Sequence, residues 1–171
     1  MEVKIKRLNE LAVVPTIAKD GDAGMDITAT SRHYDKDGNV VFGTGLAFEI
    51  PKGYVGFLFP RSSNAKKDLI LTNSVGVVDS GYRGEVTFKF KPSAFFSDED
   101  LGESKDSEDF DNVRLPLGYG EDDYMYGFNT YDVGDRIGQI IIMPVPEFSF
   151  VEVDELSETE RGTGGYGSSG K

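Results

Sequence analysis

Asn73-Ser74-Val75-Gly76-Val77-Val78-Asp79-Ser80-Gly81-Tyr82-Arg83-Gly84 carries the clearest strand and turn signals in the chain. Its first half is apolar, Asp79-Ser80-Gly81 has turn chemistry, and beyond it Val86, Phe88 and Phe90 alternate with Thr87, Lys89 and Lys91. The pattern predicts a hairpin, with one apolar strand, a tight turn and a second strand from Glu85. A hairpin can offer backbone amides and carbonyls to one edge of a planar base, and Tyr82 at its tip can lie against a sugar or base. Asp79 leaves a buried strand where a carboxylate could hold a water; read alone, Asp79 and Gly81 are also simply turn formers.

The period of two persists on either side of this segment. Val3 and Ile5 alternate with Lys4 and Lys6, while Val55 to Phe59 and Ile137 to Val145 are more continuously apolar and predict strands covered on both faces. Turn residues recur at Asp37-Gly38-Asn39, Pro51-Lys52-Gly53 and Gly118-Tyr119-Gly120. Short strands at this spacing favour a sandwich or barrel. One stretch reads as helical, Ser62 to Asp68, with Ser62 or Ser63 as its cap. At its entrance, Arg61 and the two serines have the chemistry of a phosphate cradle, or of an ordinary capped turn.

The chain has 171 residues, 12 Phe and 8 Tyr, enough for one core. Its N-terminus lacks the apolar run of a signal peptide, and no stretch is long and apolar enough to span a membrane; a soluble, cytoplasmic protein is expected, or one in the cytoplasm of an infected cell if viral. There are no cysteines, so a metal would be held by oxygen. The net charge of −12 argues against direct nucleic-acid binding. Between Ser97 and Asp123, eleven acids face only Lys105 and Arg114, concentrating −9 of that charge. Such a segment reads as a solvated extension with apolar anchors such as Leu115 and Tyr124, or as a docking surface for a basic protein.

The tail after Glu158 is glycine-rich and cannot pack by itself, yet Arg161, Tyr166, Ser168 and Ser169 are suited to covering a base and holding phosphate. His33 reads as lying in a polar loop, and no Ser-His-Asp set, Walker loop or histidine metal cluster is present in the sequence.

In order, Asp22-Ala23-Gly24-Met25-Asp26, Pro60-Arg61-Ser62, Asn73 to Gly84, Gly134-Asp135-Arg136-Ile137-Gly138-Gln139 and Arg161 to Gly170 resemble the five motifs of the trimeric dUTPase family. The resemblance implies an all-β jelly roll, barrel or sandwich, with one short helix, spanning residues 1–157 with an acidic insertion at about 93–129 and a flexible C-terminal arm at 158–171. It implies a homotrimer with shared active sites that hydrolyses dUTP to dUMP and pyrophosphate. That reaction limits uracil in DNA and supplies dUMP for dTMP synthesis. Mg²⁺ would assist, carried mainly on the substrate phosphates and touched by Asp26 through water.

By the same resemblance Asp79 orients the attacking water and Tyr82 stacks under deoxyribose. Asn73 and the backbone at Val77 and Val78 read uracil; Arg61, Ser62, Ser63 and Gln139 hold phosphate. In the arm, Arg161, Gly167, Ser168 and Ser169 bind the γ-phosphate end and Tyr166 stacks on uracil. Three positions depart from the family's habit: Ser63 stands for a usual Gly, Gly138 for a common Ala, and Tyr166 for Phe. Two rivals share the fold. A dCTP deaminase would carry a catalytic Glu where this chain has Lys89, and a non-catalytic nucleotide sensor would keep the pocket without needing Asp79.

Overall fold

A computed structural model describes residues 1–93 and 129–165. The interior of the acidic segment and Tyr166, Gly167, Ser168 and Ser169 lie outside the described residues, as does the Gly118-Tyr119-Gly120 turn.

The described elements are nearly all strands: β1 (Lys4–Arg7), β2 (Met25–Thr28), β3 (Ser31–Tyr34), β4 (Val40–Gly43), β5 (Leu46–Glu49), β6 (Tyr54–Pro60), β7 (Leu69–Leu71), β8 (Gly76–Val78), β9 (Thr87–Pro92) and β10 (Arg136–Pro144). A five-residue 3₁₀ turn, Ser62–Lys66, follows β6. Two four-stranded sheets, ordered β2-β10-β6-β8 and β3-β4-β9-β7, enclose one core; β1 and β5 form a separate ribbon. All pairings are antiparallel, and the chain crosses repeatedly between the sheets. The architecture is the expected all-β, jelly-roll-like sandwich, and its sheets stay open rather than closing into a barrel.

The core is aromatic. Phe42, Phe88 and Phe90 are fully buried, with Phe42 edge-on to Phe90 at 6.0 Å and Phe88 stacked on Phe90 at 6.2 Å. Ile137 and Ile140 are both fully buried although three residues apart, an offset that a regular strand would send to opposite faces. A bulge resolves this, because the β2 ladder passes from Arg136↔Thr28 to Gly138↔Ile27 and leaves Ile137 as the extra residue.

Four expectations need correction. His33, expected in a loop, lies in β3 opposite Val41, because pairing with the apolar β4 draws this polar segment into the sheet. The Asn73–Gly84 segment makes its turn, with the Tyr82 amide donating to the Asp79 carbonyl at 3.0 Å, but the flanking strands do not pair as a hairpin. β8 joins β6 in one sheet and β9 joins β4 and β7 in the other. Alternation of apolar residues specifies a buried face and not a partner; here the link is anchored elsewhere, with the Val86 amide donating to Leu46 and Thr44 Oγ1 donating to the Val86 carbonyl. The short helix is a 3₁₀ turn whose N-cap is Arg61, and neither serine makes a side-chain cap. β6 and β10 are covered on one face only in the single chain: Phe57, Phe59 and Ile141 are half-buried and Met143 is exposed.

Candidate active site

Among the described residues β8 lies at the edge of its sheet, with β6 as its one strand partner, so the other side of its backbone can pair with a planar ligand. It approaches β6 closely because residue 76 is glycine: a Cβ there would stand 2.9 Å from Leu58 Cβ. Val78 is buried, Val77 points outward, and Asp79, immediately beyond, is exposed. A pocket of about 200 Å³ opens here, with Asn73, Gly76, Val77, Asp79, Tyr82 and Glu85 on its walls. Asn73 enters from the β7–β8 turn, where Ser74 takes a left-handed φ of 59°.

The Tyr82 ring is held by its neighbours. Its hydroxyl donates to the Glu85 carbonyl at 2.9 Å, and the ring lies so close to Gly84 that a Cβ there would be 2.4 Å from the hydroxyl oxygen. Arg83 braces the turn by donating to the Ser80 and Tyr82 carbonyls at 2.7 Å each. The Glu85 carboxylate accepts from the Gly45 amide at 2.7 Å and ties the turn to the β4–β5 corner. Arg83 and Glu85 were not singled out from sequence, where a charged residue beside a turn carries no sign of what it will meet.

A second cluster gathers at the far end of β6. Asp26 Oδ1 accepts from Arg61 Nε at 2.7 Å and Asp26 Oδ2 accepts from Arg136 at 3.0 Å, so one carboxylate orients two guanidiniums. Arg61 also reaches Ser63 Oγ at 3.4 Å, while Ser62 is exposed. Gln139 faces Asp26 across the β2–β10 ladder and packs onto Gly24, where a Cβ would lie 2.3 Å from its Oε1. Arg136 follows Asp135 directly in the chain, yet the ladder turns it to Asp26, and Asp135 accepts from the Asp132 amide at 3.0 Å.

Arg161 is exposed, folded into a turn in which its Nε donates to the Gly164 carbonyl at 3.0 Å. Lys89 lies on the other sheet, paired with Asp35 at 2.9 Å, an interaction that holds the Asp35 carboxyl well below the usual range with help from Asn39.

The two clusters are far apart within one chain. β8 pairs Val78 with Gly56, which sets Asp79 beside Val55, whereas Arg61 lies six residues further along the same strand direction. At ~3.3 Å per residue that is about 20 Å between backbones.

A family model described as dUTPase matches residues 10–94 and 129–170, passing over the acidic segment. A deoxyuridine 5'-triphosphate nucleotidohydrolase of Nocardia farcinica is 36% identical, over 98% of this chain and 85% of its own length. One of Nautilia profundicola is 35% identical over the whole of both chains. Among solved structures, a variant of the Staphylococcus bacteriophage 80alpha dUTPase with dUpNHpp is 25% identical, covers 99% of each chain and superposes with a TM-score of 0.72.

Proposed function

The chain belongs to the dUTPase family, and from that membership we infer that it hydrolyses dUTP to dUMP and pyrophosphate, with Asp79 holding the water that attacks the α-phosphorus. The observation that carries the assignment is the position of Asp79, an exposed carboxylate at the end of an edge strand with one buried face and on the wall of the Tyr82 pocket. The water oxygen bonds to the α-phosphorus, the bond to the bridging oxygen breaks, and pyrophosphate leaves. Asp79, as an acceptor, orients the water and takes up its proton.

The unpaired edge of β8 at Val77 and Val78, with Asn73, suits recognition of uracil by hydrogen bonds. Tyr82, held close against Gly84, suits a deoxyribose, and we assign to its ring the exclusion of a 2′-hydroxyl. Arg61, Ser62, Ser63 and Gln139 would grip phosphates. Arg161, Gly167, Ser168 and Ser169 would close on their far end while Tyr166 covers the base. Hydrolysis in ¹⁸O-labelled water tests the chemistry: label in dUMP supports attack at the α-phosphorus, and label in pyrophosphate refutes it.

The separation of Asp79 and Arg61 supports a homotrimer with shared sites, in which a second chain brings its Arg61 to the nucleotide held beside Asp79. The surface supports it too. Phe148, Phe150 and Leu156 are 71%, 92% and 87% exposed, and an apolar cleft of about 370 Å³ lined by Val3, Ile5, Met25, Phe48 and Ile142 offers a second copy's arm somewhere to dock.

The donor set fits Mg²⁺ carried on the substrate. Among the described residues no group of three acids or histidines could cage an ion, and Mg²⁺ normally keeps waters and binds through phosphates. Asp26, with both oxygens already engaged, would reach it through water. Bound there, the ion would neutralise developing charge on the phosphate oxygens.

No helix among the described residues is long and apolar enough to cross a membrane. From its family we infer a cytoplasmic location, in a cell or in an infected host. The acidic insertion at about 93–129, unmatched by the family model, is a candidate dock for a basic protein. Deleting residues 97–123 should abolish such binding and leave folding intact; unchanged pull-down partners would remove the idea.

A further inference from the structure

Tyr131 belongs to none of the five motifs, yet it joins the core to the Arg61 loop. It is 3% exposed, and its ring packs against Phe42 and Phe90 at 6.2 and 6.0 Å. Its hydroxyl emerges beneath the 3₁₀ turn and donates to Asn64 Oδ1 at 3.4 Å. Asn64 is the keystone of that turn. Its side-chain amide donates to the Leu69 carbonyl at 2.8 Å, fixing which end faces Tyr131, and its backbone amide donates to the Arg61 carbonyl at 2.9 Å. Burial pushes the Tyr131 phenol up, against the opposing pull of the Ser63 hydroxyl and the Arg61 charge, so it remains a proton donor near neutral pH.

The residues around Tyr131 are fastened to the same loop. Lys67 Nζ donates to Asn129 Oδ1 at 2.9 Å and to the Thr130 carbonyl, and stands 5.1 Å from the centre of the Tyr131 ring. Asp68 accepts from the Asn129 amide at 2.6 Å, and Asn129 Nδ2 donates to the Lys66 carbonyl at 2.7 Å. On the other side of the acidic segment, the Ser93 amide donates to the Asp68 carbonyl at 2.8 Å. A five-residue 3₁₀ turn has little stability of its own, so these tertiary contacts decide where it sits.

We propose that Tyr131, with its tether through Lys67, is a positioning residue that sets the phosphate affinity of the Arg61–Ser63 loop. The inference rests on the assignment of that loop to phosphate binding. Loss of the phenolic hydroxyl leaves Asn64 Oδ1 without its donor and frees the turn to shift, which weakens ground-state and transition-state binding alike.

The test is Tyr131→Phe, with Lys67→Met as a second variant should the first fail to fold. KM for dUTP should rise about 3- to 10-fold with kcat within about twofold, the range of one hydrogen bond. The inhibition constant of inorganic tripolyphosphate should rise by the same factor, and that of deoxyuridine should stay unchanged, since it carries no phosphate. An unaltered KM and tripolyphosphate affinity, or an equal loss for deoxyuridine, overturns the proposal. Should the wild-type chain fail to turn over dUTP, the assigned reaction falls, and the ratio of tripolyphosphate affinities decides this inference by itself.

Discussion

Gly138 and Phe88 share one space: a Cβ on Gly138 would lie 2.2 Å from Phe88 Cε1 and 2.9 Å from the Phe59 carbonyl oxygen. The fully buried Phe88 ring fills the volume that an alanine methyl would take, which gives a physical reason for glycine in the fourth motif of this chain.

Gly138→Ala should therefore destabilise the fold by about 1–3 kcal/mol, the usual cost of overpacking a filled core. Urea unfolding measures it. Adding Phe88→Leu should recover part of the loss and reveal a coupling that two independent sites would not show.

Asp26→Asn keeps the shape of the side chain but removes the charge that Arg61 and Arg136 both address. The expected result is a KM for dUTP raised about tenfold, in line with the loss of charge-assisted bonds to one carboxylate. Steady-state kinetics at fixed Mg²⁺ check it, and an unchanged KM would mean that Arg61 holds its position without this partner.

The Lys89–Asp35 pair has a defined pH signature. The folded-state Asp35 carboxyl lies below the ordinary aspartate value of 3.8, so its contribution is complete above that value and fades as pH falls through the lower, folded-state one. Lys89 is raised above 10.5, so its share is present below that value and fades only as pH rises past it. Thermal melts of the wild type and Asp35→Asn should differ across neutral pH and converge below the carboxylate range. A gap that persists unchanged in strong acid would mean that the charge is not its source.

The shared site predicts complementation. Asp79→Asn and Arg61→Ala should each be inactive alone, but a randomly reassembled equimolar mixture should regain activity at about a quarter of all sites, one in each mixed trimer, where intact Asp79 and Arg61 meet from different chains. A mixture as inactive as its components would place both residues in one chain's site.

Much of this was legible from residue types. The alternation Val86-Thr87-Phe88-Lys89-Phe90 predicts β9 and its buried face, and the Asp79-Ser80-Gly81 turn forms as expected. Strand partners were not legible, because period two fixes a face and leaves the sheet open; β8 and β9 separate for that reason. The Asp26 bridge was beyond reach for a similar reason: Arg136 is adjacent to Asp135 in sequence, and only the β2–β10 register delivers it to Asp26. Tyr131 gave no sign at all, since a lone tyrosine before a strand reads as core.

The most direct test of the central claim is single-turnover hydrolysis of dUTP by Asp79→Asn beside its affinity for a non-hydrolysable dUTP analogue. Binding should stay within a few-fold of wild type while the rate falls by about a hundredfold or more, the mark of a group that acts on the reacting water. A rate near that of the wild type, with the analogue bound normally, would contradict the role assigned to Asp79.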